Sequence, residues 1–434
     1  MATLLMIESW LQSTGEGLPP LLRALGHDYV LVTRDPVLYG AGSLTPHPAL
    51  AGASEVVVVE TNDTGALVER MVGLASTHHI DGVLTTCDYY LAATAAVAAR
   101  LGLPGASPDV MVRAVRKHEV RAALDAAGLP SVRHAVASTL DDALAAAQGL
   151  GYPLVVKPVD LNAGTSVRRV DEEAHLKDAW AEISALTRNT RGQALAGVAL
   201  IEEVLTGTEV SVESVTIDGR TTVVGITDKS VAGPPAFVES GHMFPAALPP
   251  DVADEVAGFA CAALDAVGLT HGLSHTEVMV TDAGPRLVEI NPRQGGGYIF
   301  DLVHLVTGTH PLQVLVDLAL GDPPALGTTG SPLATAAAPR GSAAVMFVMA
   351  PSAGRVVGVD GLDRLDADPR VHRWTLPVPV EAALPVDNEA YLGHVVVVDP
   401  SGPGARGHAE SLVRSLRLRF ADGTTARPLP VASG

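Results

Sequence analysis

Residues 275–297, HTEVMVTDAGPRLVEINPRQGGG, alternate in a way that decides how the rest of the chain is understood. The pieces 275–280 and 286–290 are β-branched and alternating. Asp282, Ala283 and Gly284 lie between them as a turn in which Gly284 is free to take a positive φ. A turn centred on Ala283 sets Glu277 directly across from Glu289. Strand side chains alternate faces, so Asn291 joins both glutamates on one face while Val278, Val288 and Ile290 take the other. Met279 and Leu287 share the glutamate face and imply that it is half covered. Like charges directly opposite on a sheet are destabilising, and a divalent cation between them removes that cost. Two carboxylates and an amide oxygen form a hard-oxygen set suited to Mg²⁺ with bound phosphates. Arg293 follows two residues on, then the Gly295-Gly296-Gly297 turn. The bland alternative is a solvent-facing hairpin with ordinary surface acids.

The chain's 434 residues suffice for two or three domains with substantial cores. Apolar residues make up 47% and mean hydropathy is +0.28, yet no run approaches the roughly 18–20 apolar residues of a membrane span. The opening MATLLMIESW lacks a basic flank and a small-residue cleavage site, and reads as a first β-strand. Cys87 and Cys261, the only cysteines, are too few for a disulfide framework and point to a reducing cytoplasm. A net charge of −19 argues against nucleic acid or an anionic membrane as partner.

Only Lys117, Lys157, Lys177 and Lys229 are lysine, and every other basic residue is arginine. A lysine kept against such a bias is expected where a compact ammonium is needed that arginine's planar fork does not replace. Lys177, in the acidic helical stretch 171–185, reads instead as a solvated surface residue.

Residues 1–112 alternate strands (Thr3–Ile7, Tyr29–Thr33, Val56–Val59, Gly82–Thr85) with helices (15–25, 64–77, 90–101), a βαβ succession that predicts a parallel sheet covered on both faces. No GxGxxG follows the first strand, which excludes an NAD-type site there. Asp88 follows the fourth strand, where open α/β sheets place ligand groups; it is equally suited to cap the next helix. The spacing then predicts one helix over 107–127 carrying Lys117, a helix near 139–148, and a buried strand 154–158 ending at Lys157. After the loop 159–166 come a helix at 171–185, a strand at 198–204, a hairpin of 209–217 and 221–227, and a helix at 251–266. Residues 231–250 read as a proline-rich loop able to close over reactants. Residues 321–341 read as an exposed connection, 342–422 as a smaller α+β region, and 423–434 as a loose tail.

A second constellation complements the hairpin. Lys157 precedes a loop holding Asn162, Gly164, Thr165 and Ser166, whose backbone N–H groups, with the lysine, are suited to β- and γ-phosphates. Further on stands EEVLTGTE, residues 202–209. A strand edge there offers backbone groups to an adenine, and Glu209 after the Gly207 turn can accept ribose hydroxyls.

The order is lysine, lysine with loop, EExLxGxE, then glutamate–glutamate–asparagine–arginine. In it the chain resembles the ATP-grasp superfamily, through Lys117, KPVDLNAGTS (157–166), EEVLTGTEVSVE (202–213) and HTEV…VEINPR (275–293). The resemblance covers about residues 1–310. It implies an α/β and α+β multidomain fold: a pre-ATP-grasp parallel α/β domain (1–112), a two-subdomain ATP-grasp domain (113–205 and 206–320), and a C-terminal capping domain (342–422). It implies that Lys117 and Lys157 contact phosphate, with Ser166 in the same loop. Glu202 and the backbone of Glu203 and Leu205 would meet the adenine, and Glu209 the ribose. Glu277, Glu289 and Asn291 would hold Mg²⁺ or Mn²⁺, and Arg293 would stabilise acyl-phosphate and tetrahedral states. The stretches 237–246 and 272–277 are similar to those of L-amino-acid ligases, as are GRVVGVDGLDRL (354–365) and PVDNEAYLGHVVVV (385–398) in the C-terminal region. A homodimer is implied by resemblance only.

The expected activity is ATP-dependent joining of a small carboxylate to a small amine through an acyl phosphate. Lys229 is placed to reach phosphate or the first carboxylate, or else to form a surface salt bridge with Asp228 or a nearby acid. His242 suits a lid or the deprotonation of the incoming ammonium, and His275 suits packing beside the metal face or substrate contact. Gly295 and Gly296 let backbone approach the intermediate. The competing readings are a biotin-carboxylase-like or purine-pathway enzyme, and a nucleotide-binding sensor without catalysis.

Overall fold

The computed structural model describes residues 1–232, 238–326, 341–385, 388 and 390–429. The first strands are β1 (Thr3–Ile7), β2 (Asp28–Thr33), β3 (Glu55–Val58) and β4 (Gly82–Leu84), all parallel in the order β3-β2-β1-β4. Both faces of this sheet are covered, which is why β1 is a continuous apolar run. Leu5 and Ile7 pack with Met71 and Val97 on one side. Leu4 and Met6 pack on the other with Leu18 and Leu22, and also with Phe300, Leu312 and Val316. The latter three come from the helices Ile299–Thr307 and Pro311–Leu320, for which the sequence reading had assigned no elements. Among the described residues no single helix is long and apolar enough to cross a membrane; these two are bent by 95° and covered in the core.

The helix expected over 107–127 is two helices, Pro108–Ala114 and Lys117–Ala126. Arg116 is extended between them (φ −110°, ψ 105°), and the Lys117 N–H donates to Val159 O at 3.2 Å. The break therefore puts Lys117 on a first helical turn, tied to the loop after the next sheet. That sheet is antiparallel: β5 (His134–Ala137), β6 (Leu154–Pro158), β7 (Arg168–Val170) and β8 (Ala199–Glu203), ordered β5-β8-β6-β7. Helices Leu140–Leu150, started by a Thr139/Asp142 capping box, and Glu173–Ala185 back it through Leu154, Val156, Leu176 and Ile201.

The largest sheet begins with β9 (Thr208–Ile217), β10 (Arg220–Ala232), β11 (Val238–Phe244), β12 (His271–Thr281) and β13 (Gly284–Asn291). The C-terminal strands are β14 (Ser342–Met349), β15 (Gly354–Asp360), β16 (Val371–Thr375), β17 (Val380–Ala382), β18 (Tyr391–Asp399), β19 (Arg417–Phe420) and β20 (Thr425–Ala426). Eight of these form one antiparallel sheet, β13-β12-β9-β10-β11-β14-β18-β16. The remainder form a small sheet, β17-β15-β19-β20.

One expectation changes here. Residues 231–250 are not one long loop: β11 runs through them and is paired on both sides, by β10 and β14. The prolines before it disguise a strand whose residues 240–244 are all buried. The α+β C-terminal region shares a sheet with the domain before it, because β14, β18 and β16 continue the sheet that carries the acidic hairpin. Of the expected connection and tail, residues 327–340 and 430–434 lie outside the described residues, while 425–426 form β20 instead of loose chain.

Candidate active site

Glu277 faces Glu289, and His275 faces Asn291, across β12 and β13. The route to that register differs from the expected one. Thr281 pairs with Gly284, so the turn holds two residues, and Gly284 takes φ 89°. A one-residue register shift beyond Val278 then leaves Val288 as a bulge and restores the opposition of the two acids. The bulge also reverses two faces. Leu287, expected beside the glutamates, is buried in the core with Val278 and Ile290, whereas Val288 is not. The Val288 carbonyl is turned out to accept from Arg121 Nη2 at 2.9 Å and from Lys157 Nζ at 3.5 Å.

A cationic cluster surrounds that carbonyl. Lys157 Nζ lies 2.6 Å from Glu202 Oε2, and Arg121 Nε 2.6 Å from Glu202 Oε1. Burial alone would raise the Glu202 pKa, but the two cations outweigh it and hold it at about 2. Lys117 Nζ lies 2.9 Å from Glu289 Oε1 and also donates to Leu161 O, in the loop after Lys157. That loop is tightly bent: Ala163, Gly164 and Ser166 have φ of 56°, 71° and 54°, and Ser166 is buried.

An anionic cluster lies on the other side of the hairpin. Lys229 Nζ is held by Glu209 at 3.0 Å, Glu239 at 2.9 Å and Glu277 at 2.9 Å, with 3% of its side chain exposed. Burial would lower its pKa, and the three carboxylates instead raise it well above the usual value. Burial and the neighbouring acids push Glu209 upward, whereas Lys229 with the histidines draws Glu239 and Glu277 well below the carboxylate range. Beside it, Glu213 accepts from Ser211, Thr227 and His275 Nδ1 at 2.9–3.0 Å. His275 Nε2 lies 3.3 Å from Glu277 Oε1. Burial would lower the His275 pKa; Glu213, helped by Glu277, raises it to about 9.

The remaining residues assemble at the same place. Arg293 Nε is 2.5 Å from Asp88 Oδ1, an ion pair in which the N–H is not aimed at the oxygen, and Arg293 Nη2 is 3.5 Å from Asn291 Oδ1. His242 is buried edge-on to Phe347 and lies 3.4 Å from Glu239. Ser240 is skipped in the β10–β11 register, which lets Glu239 and His242 converge although they are three residues apart. Gly297, at φ 54°, must be glycine, because a Cβ there would fall 2.6 Å from His242 Nε2. Gly295 backs onto Glu213, with a would-be Cβ 3.0 Å from Oε2, and Gly296 stands 3.9 Å from Arg293 Nη1 on the same measure.

Several expectations are corrected by these contacts. Lys229 does pair with nearby acids, but they are Glu209, Glu239 and Glu277 and the lysine is buried; Asp228 pairs instead with Arg406 at 2.6 Å. His242 sits in a paired strand, not in a lid loop. Asp88 caps nothing; its carboxylate is taken by Arg293, Trp10 and Asn162. The Glu202 side chain supports the cations, and the Glu203 N–H is committed to Arg133 O at 3.0 Å, while half-buried Leu205 follows the end of β8. Glu209 lies within the acid cluster around Lys229.

Sequence reasoning passed over Arg121, Glu213, Glu239 and Gln294. Arg121 stands four residues after Lys117 on one helix face, and Glu209, Ser211 and Glu213 share one face of β9. Both signals were readable. Gln294 is buried, and its amide nitrogen and oxygen have no partner among the described residues.

No group of three His, Cys, Asp or Glu among the described residues is arranged as a closed metal site. The donor set still fits a hard divalent ion shared with phosphate. Lys229 and His275 both approach Glu277 through Oε1, and Lys117 approaches Glu289 through Oε1. Glu277 and Glu289 oppose each other across the hairpin, with Asn291 two residues on, and Mg²⁺ is commonly held by one or two carboxylates with phosphate and water.

Comparison with known proteins gives three family matches along the chain: ATP-grasp N-terminal domain (residues 23–105), ATP-grasp domain (150–301) and L-amino acid ligase C-terminal domain 2 (346–421). Carnosine synthase 1 of Gallus gallus is 31% identical over 265 residues, covering 58% of this chain and 28% of that protein. Alanine–anticapsin ligase of Bacillus subtilis is 28% identical over 271 residues, covering 58% and 56%. The chain thus matches little more than half, or less, of the length of these two relatives. The crystal structure of an L-amino acid ligase from Bacillus licheniformis superposes with a TM-score of 0.80 at 22% identity, covering 97% of this chain and 99% of that one.

Proposed function

We propose that this chain, which belongs to the ATP-grasp superfamily, is an ATP-dependent ligase that joins a small carboxylate to a small amine, with amino acids as the substrate class. The observation that carries this reading is the convergence of two unlike charge clusters on one hairpin, with Arg293 beside both.

Amide formation from a free carboxylate is uphill in water, and transfer of the γ-phosphoryl group to that carboxylate supplies a leaving group. Lys117 and Lys157 neutralise charge on the transferring phosphoryl group. Glu277, Glu289 and Asn291 would hold Mg²⁺ (or Mn²⁺), which when bound would neutralise further charge on the phosphates. Arg293 holds the acyl-phosphate oxygens and stabilises the oxyanion formed when the amine attacks the acyl carbon. Phosphate then leaves with the C–O bond electrons, and ADP remains. The surplus negative charge around Lys229 favours a substrate ammonium, and His242 is the nearby group suited to its proton, because His275 is held protonated between Glu213 and Glu277. Two free thiols and a need for ATP favour a cytoplasmic setting.

The test is incubation with ATP, Mg²⁺ and pools of small acids and amino acids, with phosphate release and new masses measured. ADP and phosphate formed only when acid and amine are both present support the reading. AMP and pyrophosphate, or nucleotide binding without turnover in any pool, contradict it. Sedimentation of the same sample checks the homodimer.

A further inference from the structure

One contact between regions is left unused by this chemistry. Between the helix Glu173–Ala185 and β8, residues 187–195 form a small hairpin that braces itself. Arg188 bridges Ala194, Asn189 Oδ1 accepts from the N–H groups of Arg191 (2.9 Å) and Gly192's neighbour Gln193 (3.0 Å), and Leu195 N donates to Thr187 O. The tip does not cover its own sheet. It enters the N-terminal domain at the carboxyl ends of β1 and β2, where Arg191 is 4% exposed.

Its seat is built from that domain. Arg191 Nη2 donates to Ser9 O at 2.6 Å, Nη1 lies 3.5 Å from Tyr39 Oη and 4.0 Å from Glu8 Oε2, and the guanidinium stands 5.3 Å over the Trp10 ring. Glu8 is itself preset: it takes φ 51° and accepts from Thr33, Tyr39, Thr61 and the Arg34 N–H at 2.7–3.0 Å. The seat's buried carboxylate thus has four donors of its own and keeps its shape when the guanidinium leaves. Asn62 Nδ2 donates to Arg191 O, and Gln193 Nε2 to Tyr89 O, both at 3.0 Å.

The seat touches the site. Trp10 Nε1 donates to Asp88 Oδ1 at 3.2 Å, and that oxygen is the partner of Arg293. The second oxygen of Asp88 accepts from Asn162, in the phosphate-side loop, at 2.9 Å. Two loops of the β5–β8 region therefore grip the N-terminal domain on either side of Asp88.

We propose that the 187–195 hairpin is a latch fastening the β5–β8 region to the N-terminal domain, and that Arg191, seated against Glu8 and Trp10, positions Arg293 through Asp88. Arg191 is a positioning residue, since it touches no reacting group. Closure buries one guanidinium in a preset socket, and opening returns it to water, so the two arrangements are discrete. The latch itself is independent of which reaction the site performs; only its effect on turnover rests on the ligase reading.

The test uses the full chain with Trp180→Phe and Trp374→Phe, leaving Trp10 as the fluorescent reporter. Acrylamide quenching and binding of ADP with Mg²⁺ are measured in this background and with Arg191→Met, Arg191→Lys and Asn62→Ala. Expected for Arg191→Met is Trp10 quenching raised about threefold and ADP affinity lowered about tenfold, with Arg191→Lys recovering part of both. Asn62→Ala, which removes one tip hydrogen bond without emptying the socket, moves both readouts in the same direction by a smaller factor and carries the test if Arg191→Met fails to fold. Under turnover, Arg191→Met lowers kcat as well as weakening ATP binding. Unchanged quenching with affinity within about twofold of the parent overturns the latch. A parent protein that binds no nucleotide contradicts the ligase reading, while the quenching comparison still decides the latch.

Discussion

The two charge clusters meeting at the β12–β13 hairpin are built from the same residue types in opposite proportion. On the β6 and β8 side, Lys117, Lys157 and Arg121 face only Glu202 and Glu289, so one positive charge is in excess. Around β9, β10 and β11, the four acids Glu209, Glu213, Glu239 and Glu277 face Lys229, His275 and His242, and the excess is negative. Neither is a neutral structural ion pair. Burying unbalanced charge is costly, and it is worth retaining where a ligand of opposite sign completes the set. The first cluster suits phosphate; the second suits a metal ion and an ammonium. Their separation by one pair of strands lets one hairpin sort the two ends of a reacting complex.

The sharpest way to break this division is Glu289→Ala, which removes the acid that pairs with Lys117 and faces Glu277 across the hairpin. Turnover with Mg²⁺ should fall by about a thousandfold or more while the folded circular dichroism is kept; undiminished activity would remove the metal assignment. Next comes Lys229→Met, which strands three partly buried carboxylates. A loss of about 3–5 kcal/mol in unfolding free energy is expected, read from urea midpoints, and it should shrink at acid pH as the freed acids take up protons.

The clusters should also differ in the sign of their pH dependence. His275, raised from 6.5 to about 9, contributes stability that is complete below pH 6.5 and is lost as pH rises through 9. Glu202, lowered from 4.5 to about 2, contributes stability complete above pH 4.5 and lost as pH falls through 2. Each is worth about 3 kcal/mol over its window. Urea midpoints across pH should lose their alkaline limb in His275→Asn and their acid limb in Glu202→Gln; parallel profiles would contradict both. The smallest effect belongs to Lys177, which pairs with Glu173 at the surface, half exposed. Lys177→Arg should leave melting within about 0.5 kcal/mol of the parent, whereas Lys229→Arg should not.

The hairpin was legible because its alternation and its turn both bear on register. Its bulge was not, because a two-residue turn with one bulged residue gives the same Glu277–Glu289 pairing as a three-residue turn, and Val288 resembles any strand valine. The N-terminal sheet could be read strand by strand since its apolar runs are bounded by polar turns. β11 was hidden by the prolines before it, whereas the two helices in residues 299–320 carried readable signals, a Gly308 stop and a Pro311 start, that went unused. The lysine bias did mark position: Lys117, Lys157 and Lys229 are buried, and Lys177 is exposed. Contacts between distant segments left no local trace. Asp88 with Arg293 and Arg191 with Ser9 are joined only by the fold.

The continuation of the large sheet into β14 has a practical consequence for anyone cutting the gene. A fragment ending near Gly341 would retain every acid and lysine discussed above, yet would strip β11 of its neighbour and leave Gly241–Phe244 with unpaired backbone groups. Such a truncate would be prone to self-association through that raw edge, so swapping C-terminal segments between relatives amounts to re-grafting a strand onto the catalytic sheet and not to exchanging a detachable module.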